Sequence, residues 1–161
     1  MDNDKNIAMV KFLLQCPTIQ QNPLFFNFAD EEDGNNHFIS ERDTKKTVYI
    51  DGSTLKQYTF TIASYSSVSH NAVVDDIEND IILDENIENM AKVQEILDWI
   101  NTQADNLYFP DFGPDCEIES METLTTDPDI DGIDTSVNPP IARYSVGVKL
   151  IYLDNTKKVW N

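Results

Sequence analysis

The stretch TVYIDGSTLKQYTFTIASYS, residues 47–66, decides the fold. Val48 and Ile50 lead into Asp51-Gly52, a turn dipeptide that tolerates the positive φ angles of a tight hairpin. From Leu55 the chain alternates, with Tyr58, Phe60 and Ile62 pointing one way and Gln57, Thr59 and Thr61 the other. Alternation of this period, rich in aromatic and β-branched residues, marks a strand with one buried face. At about twelve residues it exceeds the usual five or six, long enough to be the spine of a sheet.

A second strand of the same kind lies at residues 142–153, ARYSVGVKLIYL, where Tyr144, Val146, Val148, Leu150 and Tyr152 share a face and Arg143, Ser145 and Lys149 take the other. Residues 116–125 alternate more weakly, with Cys116, Ile118 and Leu124 expected on one side. Between these two runs, residues 127–140 are acidic and carry Pro128, Gly132, Pro139 and Pro140, which reads as an acidic loop. Before the hairpin, residues 24–28 (LFFNF) form a short strand, 30–36 a polar turn and 37–40 another brief strand.

Two helices complete the pattern. Asp2, Asn3 and Asp4 favour a helix start, and Ile7, Val10, Lys11 and Leu14 recur at helical spacing with Phe12 and Leu13 beside them. Pro17 is expected to end that helix. Asp84 is placed as the cap of a second helix, whose face carries Ile87, Met90, Val93, Leu97 and Ile100, widened by Ile96 and Trp99. It runs to about Ala104, and Pro110 closes it. Helices alternating with runs of strands give an α+β class: a mainly antiparallel or mixed sheet with two helices packed on one side, in one domain spanning 1–161.

Residues 67–84, SVSHNAVVDDIENDIILD, fit neither period and read as an excursion from the sheet. The apolar pairs Val73-Val74 and Ile81-Ile82 sit among acids there, an arrangement that a partner would cover. These four residues, with Arg143 and Lys149 on the polar face of the last strand, are the candidate interface.

Charge narrows the function further. The chain of 161 residues holds 29 acids against 11 bases, a formal charge of −18. A reader of phosphate backbones needs a basic face, so sequence-specific nucleic-acid binding is not expected. An acidic binding protein, a DNA mimic or a sequestering partner of a basic protein, is an alternative that the same charge allows. No apolar run is long enough for a membrane span. No run resembles a secretory signal, so Cys16 and Cys116 are expected as free thiols.

Chemistry-bearing motifs are sparse. Asp127, Asp129, Asp131 and Gly132 match the first, third, fifth and sixth positions of an EF-hand loop, but Asn138 stands where the bidentate glutamate belongs. A solvated acidic connector is expected rather than a calcium site. His37 and His70 have no metal-ligand spacing, and the five glycines build no phosphate cradle or nucleophile elbow. No residue is therefore assigned a catalytic, cofactor-binding or metal-ligating role, and the chain is read as non-enzymatic.

Several segments in order resemble the tail terminator, or tail-completion, family of long-tailed phages and phage-tail-like bacteriocins. They are the hairpin 48–64 with Asp51-Gly52-Ser53-Thr54 and Gln57-Tyr58-Thr59-Phe60, the helix carrying Leu97, Asp98 and Trp99, then Leu124-Thr125, a variable loop, and Ala142 to Val146 leading into Leu150-Ile151-Tyr152. The resemblance implies a structural virion protein without enzymatic activity or cofactor, assembled in the bacterial cytoplasm. It implies a hexameric ring that caps the finished tail tube, ends its polymerisation and meets the head-tail connector or collar. In contractile tails such a ring also engages the sheath.

Overall fold

The computed structural model of the chain describes residues 3–21, 24–26, 36–67, 85–125, 129–136 and 140–159. Its centre is the pair of strands with strict alternation. Strand β3 (Thr54–Ser67) runs antiparallel to β6 (Ile141–Asp154) along the full length of both, from Thr54 opposite Asp154 to Ser67 opposite Ile141. Tyr58, Phe60 and Ile62 on β3 and Tyr144, Val146, Val148, Leu150 and Tyr152 on β6 are all buried on one face. A slip of one residue would turn this whole set toward water, so the register is locked by burial. Full burial of each aliphatic side chain there contributes about 1.5–3 kcal/mol.

Strand β2 (Asn36–Val48) pairs antiparallel with the other side of β3, and the short β1 (Leu24–Phe26) runs parallel to the start of β2. The outer side of β6 is shared. β4 (Cys116–Thr123) pairs with its half near the hairpin and β5 (Asp129–Asp134) with the remote half, giving the order β1-β2-β3-β6-β4 with β5 also on β6. The fold is α+β, with the helices on one face of this sheet.

Three expectations about the strands are corrected. The brief strand at 37–40 and the first arm of the hairpin are one strand, β2, interrupted by register shifts between Ser40 and Arg42 and between Lys45 and Thr47. Each extra residue inverts the alternation after it, which hid the period. The acidic stretch 127–140 is not all loop, since residues 129–134 form β5. Main-chain hydrogen bonds to β6 do not depend on side-chain polarity, and an edge strand tolerates charge. In β4 a shift between Ile118 and Ser120 puts Met121, not Leu124, on the core side after Cys116 and Ile118, and Leu124 is exposed.

The helices cover the apolar face. In α1 (Asn3–Leu13) the buried residues are Lys5, Met9, Phe12 and Leu13, followed by Cys16, while Ile7 and Leu14 are exposed. The helix is thus rotated from the expected Ile7–Leu14 stripe. Met9, Phe12 and Leu13 offer more apolar area than Ile7 and Val10, and Lys5 can join them because its ammonium finds a partner. As expected, α1 ends before Pro17, and Cys16 ahead of the proline is extended (φ −71°, ψ 120°), but Pro17 also opens a second short helix, α2 (Pro17–Gln20). At a first-turn position its missing N–H costs nothing, since that donor has no acceptor inside the helix. α3 (Glu85–Asp105) buries Val93, Ile96, Leu97 and Ile100, as its spacing indicates. It ends in a Schellman motif: Tyr108 N–H donates to Gln103 O at 2.9 Å and Leu107 N–H to Ala104 O at 3.0 Å. Leu107 takes φ +56° there, a conformation that usually selects glycine. Among the described residues no helix is long and apolar enough to cross a membrane.

Candidate functional site

The hairpin loop between β2 and β3 is the most exposed apolar feature of the described surface. Tyr49 N–H donates to Ser53 O at 2.8 Å and Gly52 N–H to Tyr49 O at 3.0 Å. Gly52 lies at φ +90°, and no positive φ occurs at Asp51. The loop therefore has three residues, Ile50 to Gly52, with the left-handed residue last, rather than the two-residue Asp51-Gly52 turn expected from sequence. Asp51 accepts from Ser53 N–H at 2.9 Å and from Ser53 Oγ at 2.5 Å, and these bonds hold its carboxyl below the usual range.

The chain after β6 folds over this loop. Val159 N–H donates to Asp51 O at 2.7 Å, and Lys158 Nζ stands 4.0 Å from Asp51 Oδ2. A Cβ on Gly52 would meet Lys157 O at 2.2 Å, so the approach requires glycine. Asp154 anchors the turn below, accepting from Thr156 N–H and Oγ and pairing with Lys56 at 2.9 Å. The result is a tip on which Val48, Tyr49, Ile50 and Val159 all face water, Ile50 with 91% of its surface exposed. Lys45, Lys46, Lys157 and Lys158 are exposed around it. A tip both apolar and basic is unexpected on a chain of charge −18.

Beneath α1 lies a polar cluster. Lys5 Nζ is 3.3 Å from Asp43 Oδ2 and 4.8 Å from the centre of the Tyr152 ring. Tyr152 OH donates to both oxygens of Asp43, at 2.7 and 2.9 Å, and Tyr58 OH donates to Asn6 Oδ1. Phe112 closes the cluster edge-on to both tyrosine rings. Each polar group has a partner, and the cluster pins the start of α1 to the sheet. A groove of about 400 Å³ between α1 and the segment after α3 is lined by Ile7, Phe12, Tyr108, Phe109 and Pro110, with Lys11 and Asp111. Tyr108 OH donates to Gln15 Oε1 across it at 2.8 Å.

The sequence-derived interface residues are dispersed. Val73, Val74, Ile81 and Ile82, with the rest of 68–84, lie outside the described residues, as do His70, residues 30–35 and the Asp84 cap. Lys149 meets Glu122 of its own chain at 2.6 Å, across the β4–β6 pair. Arg143 is half-buried at the remote end of β6, close enough to His37 to depress the histidine pKa together with the larger effect of burial. Cys16 and Cys116 are free, and burial raises the Cys116 thiol pKa. The calcium-loop pattern meets an extended backbone from Asp129 to Asp134, hydrogen-bonded to β6 where an EF-hand loop must curl.

Sequence reading missed the exposed tip, although a signal was present: Ile50 occupies a turn where polar residues are usual. It also missed the Lys5–Asp43–Tyr152 cluster, for which no local signal exists because its members are far apart in the chain. No protein-family model matches this chain, and no curated protein matches it significantly.

Proposed function

We propose that this chain is a structural subunit of a phage or phage-tail-like particle, capping the head-proximal end of the tail tube as a ring. In that role it ends tube polymerisation and offers a joint to the connector or collar. The observation that carries the reading is the tip: Val48, Tyr49, Ile50 and Val159 are exposed together, while most other large apolar groups among the described residues are buried or half-buried. Exposed apolar patches with a polar rim are contact surfaces. The order of hairpin, helix and long last strand that resembles tail terminators adds the identity of the assembly.

Co-expression with a phage tail tube protein tests this. Tubes should be of limited length with this chain at one end only, as seen by electron microscopy with a labelled chain. Sedimentation across a salt series should show association strengthening from low to moderate salt, as repulsion between copies of charge −18 is screened. Tubes that grow unchanged and carry none of the chain would defeat the proposal. A salt-sensitive one-to-one complex with a basic protein, in their place, would favour the acidic binding protein that the net charge also accommodates.

A further inference from the structure

We propose that a second copy of this chain docks on the sheet edge to edge, β2 of one copy against β4 of the next, with charge dictating a head-to-tail contact. The proposal specifies the partner at the ring contact and rests on the ring reading for its closure.

Among the described residues, the sheet has two unpartnered edges in its hairpin half: β2 beyond its short pairing with β1, and β4. Register puts them level. Lys45 aligns through Lys56 and Tyr152 with Ile118, and Thr47 aligns through Leu55 and Leu153 with Glu117. The two edges carry opposite charge. Lys45 and Lys46 are exposed on β2, and neither makes an ion pair among the described residues. Glu117 and Glu119 are exposed on β4, equally without an ion pair among those residues. Glu41 and Asp43 share strand β2, but Asp43 is held by Lys5 and Tyr152.

Lysines and bulges on an edge strand ordinarily guard against pairing with another chain. Here the guard is selective. Two β2 edges would set lysine against lysine, and two β4 edges glutamate against glutamate. Of the pairings between these two edges, β2 against β4 alone brings opposite charges together, which selects it over the two like-edge pairings. The bulges at Lys46 and Glu119 interrupt a continuous ladder, leaving side chains to carry the contact. Val48, Tyr49 and Ile50, at the end of the β2 edge, supply apolar area beside the charges. A contact between unlike surfaces repeats from copy to copy, forming a ring when the rotation closes and a filament when it does not.

Two variants test this by sedimentation velocity at moderate salt: Lys45→Glu with Lys46→Glu, and Glu117→Lys with Glu119→Lys. All four residues are exposed, and far-ultraviolet circular dichroism checks that each variant folds. Each alone should self-associate at least about tenfold more weakly than the unaltered chain, since each sets like charges together. Mixed in equal amounts they should associate again, because the acidic β2 edge of one meets the basic β4 edge of the other. Variants that associate like the unaltered chain, or a mixture that stays dissociated, would overturn the edge contact while leaving rings formed by the unaltered chain intact. An unaltered chain that is monomeric at every concentration and salt would overturn it too. Edge-dependent oligomers that ignore tail tubes would uphold the contact and remove the tail reading.

Discussion

Replacing Gly52 with alanine tests whether the C-terminal segment is a working part of the hairpin tip. Two costs apply. A side chain in the left-handed region costs about 1–2 kcal/mol. The new Cβ would also stand 2.2 Å from Lys157 O, so the segment must move and the Val159–Asp51 hydrogen bond is strained or lost. That bond contributes about 0.5–1.5 kcal/mol. Gly113 is the internal control: it sits at φ +99°, and a Cβ there would meet nothing within 4 Å. The gain from stiffening the unfolded chain is common to both and cancels in the difference. Gly52→Ala should therefore cost about 2–3 kcal/mol and Gly113→Ala about 1–2 kcal/mol. For a chain of this size the extra loss is a Tm lower by roughly 2–5 °C. Urea melts of both variants, in the full chain and in one ending at Thr156, give the comparison. In the shortened chain the two substitutions should cost the same. Equal losses in the full chain would refute the clasp.

Three further outcomes are expected. Asp43→Asn removes the carboxylate 3.3 Å from the part-buried Lys5 ammonium and should destabilise by about 3 kcal/mol, whereas Lys5→Met combined with Asp43→Asn should recover part of that in urea melts. Burial alone would raise the Asp154 carboxyl, but Lys56 and Thr156 outweigh it and hold its pKa at about 2. Because the folded pKa is depressed, the stabilisation is complete above the ordinary carboxylate range and fades as pH falls from about 4 toward 2, so Asp154→Asn should flatten the fall of the urea midpoint in that window. Leu107→Gly should raise stability by about 1 kcal/mol, since Leu107 is three-quarters exposed and its left-handed conformation suits glycine; an unchanged or lower Tm would contradict this.

Much of the fold was legible in the sequence because its signals are local and periodic. The alternation of β3 and β6 and the stripe of α3 follow from geometry that repeats every 2 and every 3.6 residues, so apolar spacing alone separates strand from helix and buried face from open. The α+β class follows from those elements in order. Tertiary structure decided what period cannot carry. The bulges of β2 and β4 inverted the alternation partway along each strand, since a bulge is set by the neighbouring strand as much as by its own residues. Two stripes on α1 were compatible with a helix, and the choice fell to the one whose lysine could reach Asp43 on β2 and the Tyr152 ring on β6. The acidic residues 129–134 became a strand because one half of the β6 edge was left to pair. The tip was decided the same way: Gly52 is legible as a turn residue, but that the carbonyl of Lys157 would close against it depends on where β6 ends, beside the turn where β3 begins.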